Sequence, residues 1–245
     1  MLQHTLGRLP PREVNVRRLC QASHPRSVLV WSDAMWEEAE PHRPAAGGLG
    51  FVVFFPPGHR LGGARGRFCY AHLRVSLADL AHLRFSRDHH LIGQLELLAC
   101  AAVYASFPVG TFDGLDVIHF VDNTGALFGL VKGYSGAPDM HAIIRAFHVT
   151  NLVIRANLWF NYVASKANVA DLPSRGALLE MANCLREVDP AFDLAEGLVP
   201  LVIPACPRDI TSLWETVVSQ FPDMGPEPPP APPRRHARGG KRPRG

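Results

Sequence analysis

The chain reads as an α/β protein: a five-stranded mixed sheet carrying helices on its faces, followed by a C-terminal extension and a disordered tail. Two observations lead there. Residues 27–75 hold three short apolar or alternating runs, separated by Pro, Gly and charged residues, which suggests an antiparallel meander. From Ile92 onward, segments with apolar residues three and four apart take turns with short β-branched and aromatic runs, so helices are interleaved with the later strands.

The elements follow in order. Residues 1–26 are polar, contain Pro10-Pro11 and read as a lead-in with one short helix. Ser27–Ser32 is the first strand, followed by a loop rich in acids, Pro and Gly (Glu37, Glu38, Glu40, Pro41, Pro44, Gly47, Gly48). Leu49–Phe55 is the second strand, stopped by Pro56-Pro57-Gly58. Arg67–Val75 alternates, with Cys69, Ala71, Leu73 and Val75 on one face, and is the third.

Leu95, Leu98, Ala99, Ala102 and Val103 keep helical spacing, which predicts a helix over Ile92–Ser106. Asp116–Val121 is the fourth strand. Thr124–Val131 is a short helix closed by Gly133, a residue suited to the left-handed position after a helix. Asp139 is expected to cap the next helix, on which Met140, Ile143, Ile144 and Phe147 share a face. Leu158–Val163 is the fifth strand, and Val169–Leu172 begins a helical turn that Pro173 interrupts. A helix over Ala177–Val188 and a Pro-punctuated segment to Gln220 form the extension. From Phe221 onward there is too little apolar surface to offset the entropy of ordering the chain. The expected units are therefore 1–26, 27–176, 177–220 and 221–245.

Composition narrows the class. The 47% hydrophobic and 9% aromatic content over 245 residues fits a globular chain. No apolar stretch reaches membrane-spanning length unbroken, and Met1–Thr5 lacks the basic-then-apolar order of a secretory signal. Five cysteines (Cys20, Cys69, Cys100, Cys184, Cys206) are scattered and never spaced as CxxC, which argues against a disulfide framework or structural zinc. An intracellular setting, cytoplasmic or nuclear, fits that usage. The net charge of +3 is unevenly placed: Arg234, Arg235, Arg238, Lys241, Arg242 and Arg244 crowd the last twelve residues.

Four carboxylates stand in apolar settings, where a charge is costly unless compensated. Asp33 follows the run Ser27–Ser32 and could instead serve the turn after that strand. Glu96 is the only charged residue between His90 and Asp113, and Ala99, Cys100 and Val103 share its helix face. Asp122 sits where a strand feeds a helix, and either it or its neighbours Asn123 and Thr124 would make an N-cap. Asn168 and Asp171 stand three apart, the spacing of a capping box. Acids converging from strand ends and helices make an oxygen-rich site for hard divalent cations. Trp159, Phe160 and Tyr162 are expected in the core, although they could stack bases. His89-His90, with no further ligand pair, reads as solvated.

Taken together, Ser32-Asp33-Ala34, Gly48-Leu49-Gly50, Leu95–Ala99, Val121–Leu127, Lys132–Ser135 and Tyr162–Arg175 resemble the RNase H-like domain of retroelement Pol polyproteins, the type that follows reverse transcriptase. The most specific part is Asn168-Val169-Ala170-Asp171 followed by Pro173-Ser174-Arg175, and the resemblance spans Val28 to Arg175. It implies an RNase H-like fold and a divalent-metal-dependent endonuclease that cuts the RNA strand of RNA–DNA hybrids. Asp33, Glu96, Asp122 and Asp171 would be both the catalytic acids and the ligands of two magnesium ions, with manganese as a substitute. A reverse transcriptase domain would be the protein partner, and no membrane is involved. Asn123 and Ser165 are expected as backbone contacts, and Arg234, Arg235 and Arg238 as further nucleic-acid contacts.

The chain departs from the family pattern in its long acidic segment between Asp33 and Gly48. It also has no His between Ala164 and Asp171, and no paired-aspartate polymerase motif. Two alternatives follow: a catalytically degenerate module that binds nucleic acid or connects parts of a reverse transcriptase, and a 3′–5′ exonuclease of the same superfamily. The second would usually carry Asp-x-Glu on the first strand, where this chain has Asp33-Ala34-Met35.

Overall fold

The computed structural model describes residues 27–80, 91–108, 110–188 and 197–203. Three long strands come first: β1 (Val28–Glu37), β2 (Ala46–Phe55) and β3 (Arg67–Ser76), joined as an antiparallel meander. A short helix α1 (Leu77–Leu80) ends that part. Then come α2 (Ile92–Ala105), β4 (Asp116–Val121), α3 (Thr124–Lys132), α4 (Pro138–Ile154) and β5 (Asn157–Tyr162). A 3-10 turn, Ser165–Ala167, leads to α5 (Asp171–Ser174), α6 (Leu178–Val188) and β6 (Leu198–Pro200).

The sheet is mixed, in the order β5-β4-β1-β2-β3-β6, with β4 parallel to β1, β5 parallel to β4 and β6 parallel to β3. Among the described residues it thus has six strands rather than the expected five. The sixth comes from the C-terminal extension and is only three residues long, too short for alternation to reveal it.

Strand β1 also outruns its expected end. Its first four residues alternate between buried and half-buried, but Ser32 through Met35 are all buried. Pairing with β2 continues from Leu29↔Phe54 to Glu37↔Ala46, so Asp33 lies within a strand and serves no turn. The expected acidic loop shrinks to a tight connection with a Glu40↔Arg43 bridge. Glu37 is paired with both Arg43 and Arg74, and Glu38 accepts a hydrogen bond from Trp36 Nε1.

Glycines show which helix covers which face. A Cβ on Gly47 would meet the Leu95 side chain of α2, whereas Cβ atoms on Gly48 and Gly50 would collide with the Ser174 backbone of α5. Neighbouring strand residues point to opposite faces, so α2 and α5 lie on opposite sides of the sheet. Helix α2 is buried from Gln94 through Cys100, between the sheet and α4. Its apolar residues join Val28 and Val30, Leu49, Phe51 and Val53, and Ile143, Ile144 and Phe147 in one core.

Three further expectations are corrected. Asp139 does not cap α4. Ala137 occupies that position with Pro138 next, and Asp139 is buried, accepting a hydrogen bond from Gln94 Nε2 at 2.8 Å. Pro173 does not break the turn after Val169, because it falls inside the first turn of α5, where its missing N–H has no intrahelical partner to lose. Of the β5 aromatics, Phe160 packs against Phe147 and His119, but Trp159 and Tyr162 are exposed, contrary to the core expectation. Among the described residues, β5 lies at the edge of the sheet with no strand on its outer side. Residues 1–26, His89-His90 and the tail from Phe221, including Arg234, Arg235 and Arg238, lie outside the described residues.

Candidate metal centre

The site forms where two parallel strands stop being neighbours. The last rung between β1 and β4 is Trp31↔Phe120, and β4 ends at Val121 while β1 continues. Asp33 and Asp122 therefore leave adjacent strands at the carboxyl-terminal end of the parallel pair, where open α/β sheets bind ligands. Past that point the Ala34 N–H has no β4 residue to bond, and it donates instead to the carboxylate of Glu96 on α2. One carboxylate oxygen from each of Asp33, Glu96 and Asp122 lies within 4.8 Å of the others.

Asp122 owes its freedom to its neighbour. Asn123 is the N-cap of α3, its Oδ1 accepting from Ala126 N at 3.0 Å. Asp122 is thus released from capping, and its Oδ1 is buried with no hydrogen-bond partner; the same holds for Glu96 Oε2. Orphaned buried oxygens of this kind are expensive unless something else binds them.

The electrostatics agree. Burial, with the Asp122 and Asp171 charges adding to it, raises Asp33 from 3.8 to about 7 against a lowering contribution from the Ser174 hydroxyl. Burial also pushes Glu96 well above its ordinary value, reinforced by Asp33 and Asp122. Behind the acids, Ser32 Oγ shares hydrogen bonds with His119 Nε2 at 2.8 Å and Cys100 Sγ at 3.2 Å, while Tyr104 OH lies 3.1 Å from His119 Nδ1. Burial holds His119 down to about 3, so this imidazole is neutral and gives the acids no countercharge. Three clustered carboxyl groups, two of which carry a buried unpartnered oxygen, form a donor set that fits a hard divalent cation.

Asp171 stands apart from the three. It opens α5 and remains about a third exposed, with its Oδ1 accepting from Arg175 Nε at 2.8 Å. Its charge still reaches Asp33 and Glu96. No reciprocal capping box forms: Asn168 Oδ1 accepts from Ala170 N, and Asn168 Nδ2 donates to the Ser32 carbonyl at 3.0 Å. That bond ties the segment before α5 to β1. Ser165 is exposed at the start of the 3-10 turn.

Ser174 and Asn168 were not among the expected site residues. Ser174 Oγ lies 2.5 Å from Asp33 Oδ2, and Asn168 Nδ2 lies 3.4 Å from Asp33 Oδ1. The available signal was the pair Gly48 and Gly50, two apart and so on one face of a strand, which marks a close backbone approach.

No protein-family model and no curated protein matches the chain. Among solved structures it is similar to LC9-RNase H1, a type 1 RNase H with the type 2 active-site motif, at 12% identity and TM-score 0.40, covering 76% of this chain and 97% of that one. It is also similar to RNase H1 of the halophilic archaeon Halobacterium salinarum, at 16% identity and TM-score 0.37, covering 62% and 98%. A third is the N-terminal RNase H domain of a Mycobacterium tuberculosis protein, solved as a fusion with maltose-binding protein, at 13% identity and TM-score 0.35, covering 64% and 97%.

Proposed function

We propose that this chain is a divalent-metal-dependent endonuclease that cleaves the RNA strand of RNA–DNA hybrids. The observation that carries the reading is the convergence of Asp33, Glu96 and Asp122 with Glu96 Oε2 and Asp122 Oδ1 unpartnered. These three side chains would hold two magnesium ions, with manganese as a substitute, and Asp171 would stand at the margin of the site. Bound cations of this kind supply charge stabilisation at a phosphodiester and an activated water. Asp33 and Glu96 would then be ionised, their mutual repulsion relieved.

Asn123 and Ser165, beside the site on the sequence that flanks Asp122 and Asp171, are the proposed contacts to the substrate backbone. Selection of RNA would come from contacts to 2′-hydroxyl groups. Arg234, Arg235 and Arg238 would add sequence-independent attraction to phosphate. The run from Tyr162 to Arg175 supports a retroelement setting, intracellular and beside a reverse transcriptase domain. Among the described residues no helix is long and apolar enough to cross a membrane.

One ground for the degenerate-module alternative was the acidic segment after Asp33. Glu37 is paired with two arginines, and four strand residues place it about 13 Å from Asp33, so its charge is held away from the acids.

The test is incubation of purified protein with labelled RNA–DNA hybrid, RNA duplex and DNA duplex, in magnesium and then in EDTA. Cutting confined to the RNA strand of the hybrid and abolished by EDTA is expected. Equal cutting of DNA duplex, or cutting that survives EDTA, would overturn the reading.

A further inference from the structure

We propose that Ser174 is a positioning residue for Asp33: its hydroxyl, carried onto the sheet by α5, fixes the orientation in which the Asp33 carboxylate meets a divalent cation. The inference rests on the metal-site reading above.

Two features carry it. Ser174 is 1% exposed, and its Oγ stands 2.5 Å from Asp33 Oδ2, the length of a charge-assisted O–H···O bond. The approach is built into the sheet: a Cβ at Gly48 would lie 2.0 Å from the Ser174 carbonyl oxygen, and one at Gly50 would lie 2.2 Å from the Ser174 nitrogen. Backbone sits against backbone there, so α5 cannot settle closer, and any side chain on Gly48 or Gly50 would lift it away. The hydroxyl also has a fixed alternative, the Asp171 carbonyl oxygen at 2.9 Å. A hydroxyl has one proton to donate, so Ser174 can give it to Asp33 Oδ2 or to that carbonyl.

Asn168 Nδ2, 3.4 Å from Asp33 Oδ1, approaches the other side of the same carboxylate. The segment from Asn168 to Ser174 thus brackets Asp33 from one face of the sheet, while Glu96 belongs to the helix on the other. A carboxylate held in this way does not have to find its rotamer when a cation arrives. Removing an outer hydrogen-bond partner of a metal-binding carboxylate typically costs about 10–100-fold in metal affinity or activity.

The experiment measures Mn2+ binding by the EPR signal of the free ion for wild type, Ser174→Ala, Ser174→Cys and Asp122→Asn, with cooperative thermal unfolding as the check on folding. Cysteine is a weak donor and bulkier than serine, whereas alanine leaves a cavity, so a loss shared by both variants is that of the hydrogen bond and not of the packing. Both Ser174 variants should bind Mn2+ about 10-fold more weakly or worse. The Mg2+ concentration for half-maximal hybrid cleavage should rise by the same factor, while KM for hybrid at saturating Mg2+ stays unchanged.

Wild-type Mn2+ affinity in folded Ser174→Cys would overturn the inference, as would a raised hybrid KM with unchanged metal affinity. Mn2+ binding that Asp122→Asn leaves untouched is a different result, which would overturn the metal-site reading and this inference with it.

Discussion

Asp33 faces Gly50 directly across the β1–β2 ladder, and the space a Gly50 side chain would fill is occupied by the backbone of Ser174. The absence of one side chain on β2 therefore determines what stands beside the acid on β1. Gly50→Ala would place a Cβ 2.2 Å from Ser174 N and 2.6 Å from its Cα, and neither backbone atom can rotate away. Overpacking of this kind costs about 1–3 kcal/mol or more. Chemical denaturation should show a loss of at least that size, and Gly136→Ala, at a position whose Cβ meets nothing and whose φ is not left-handed, is the control for the general effect of substituting a glycine.

Asp122 and Asn123 are adjacent, and their variants should fail in opposite ways. Asn123→Ala removes the cap on α3 and should lower stability by about 0.5–2 kcal/mol. Asp122→Asn keeps the cap and the shape but loses a charge on which metal affinity depends. Hybrid cleavage should vanish in Asp122→Asn while its unfolding midpoint is unchanged or higher. Destabilisation by Asp122→Asn comparable to that of Asn123→Ala would assign Asp122 a structural role.

The raised acids make a stability prediction whose sign is fixed. A carboxyl held at about 7 in the folded chain, but at 3.8 when unfolded, keeps its proton in the fold after losing it in the unfolded state. The folded form binds more protons between those values, so stability falls as pH rises from about 4 to about 7. For Asp33 the full loss is on the order of 4 kcal/mol, and Glu96, also raised by burial, adds to the decline in the same direction. Without divalent cations the protein should melt higher at pH 5 than at pH 8. Asp33→Asn should flatten that dependence and raise the melting temperature at pH 8, and added Mg2+ should stabilise wild type more at pH 8 than at pH 5. A melting temperature that rises with pH over this range would contradict the account.

Six basic residues lie between Arg234 and Arg244. Deletion of residues 221–245 should weaken nucleic-acid binding chiefly at low salt and leave strand choice unchanged, with a slope change of about 0.9 per phosphate no longer neutralised on B-DNA. Binding measured over a salt series with full-length and truncated protein checks this. Equal slopes would show that the tail does not touch nucleic acid.

Much of this arrangement could be read from residue patterns, and the exceptions have physical causes. The bounds of Asp116–Val121 agree with its alternation, and Gly133 closes α3 with φ 76, as its left-handed tolerance suggests. The end of β1 was not legible, because Ser32 and Ala34 are buried on the α2 side of the sheet while Asp33 and Met35 are covered by α5, an element more than 130 residues further along the chain. The three acids stood out as charges in apolar surroundings, which is a local property. Ser174 did not, since its bond to Asp33 spans 141 residues and depends on two glycines in a third element. Trp159 was misjudged because aromatic content signals a strand but not whether that strand lies at the edge of its sheet.

The most direct test of the central claim is a crystal of the protein grown with Mn2+ and examined by anomalous diffraction. The account predicts density bridging the carboxylates of Asp33, Glu96 and Asp122, resolving into two peaks about 3.5–4 Å apart when hybrid is bound. The same crystals of Asp122→Asn should lose that density. Manganese bound only elsewhere, or a wild-type site that stays empty at millimolar Mn2+, would contradict it.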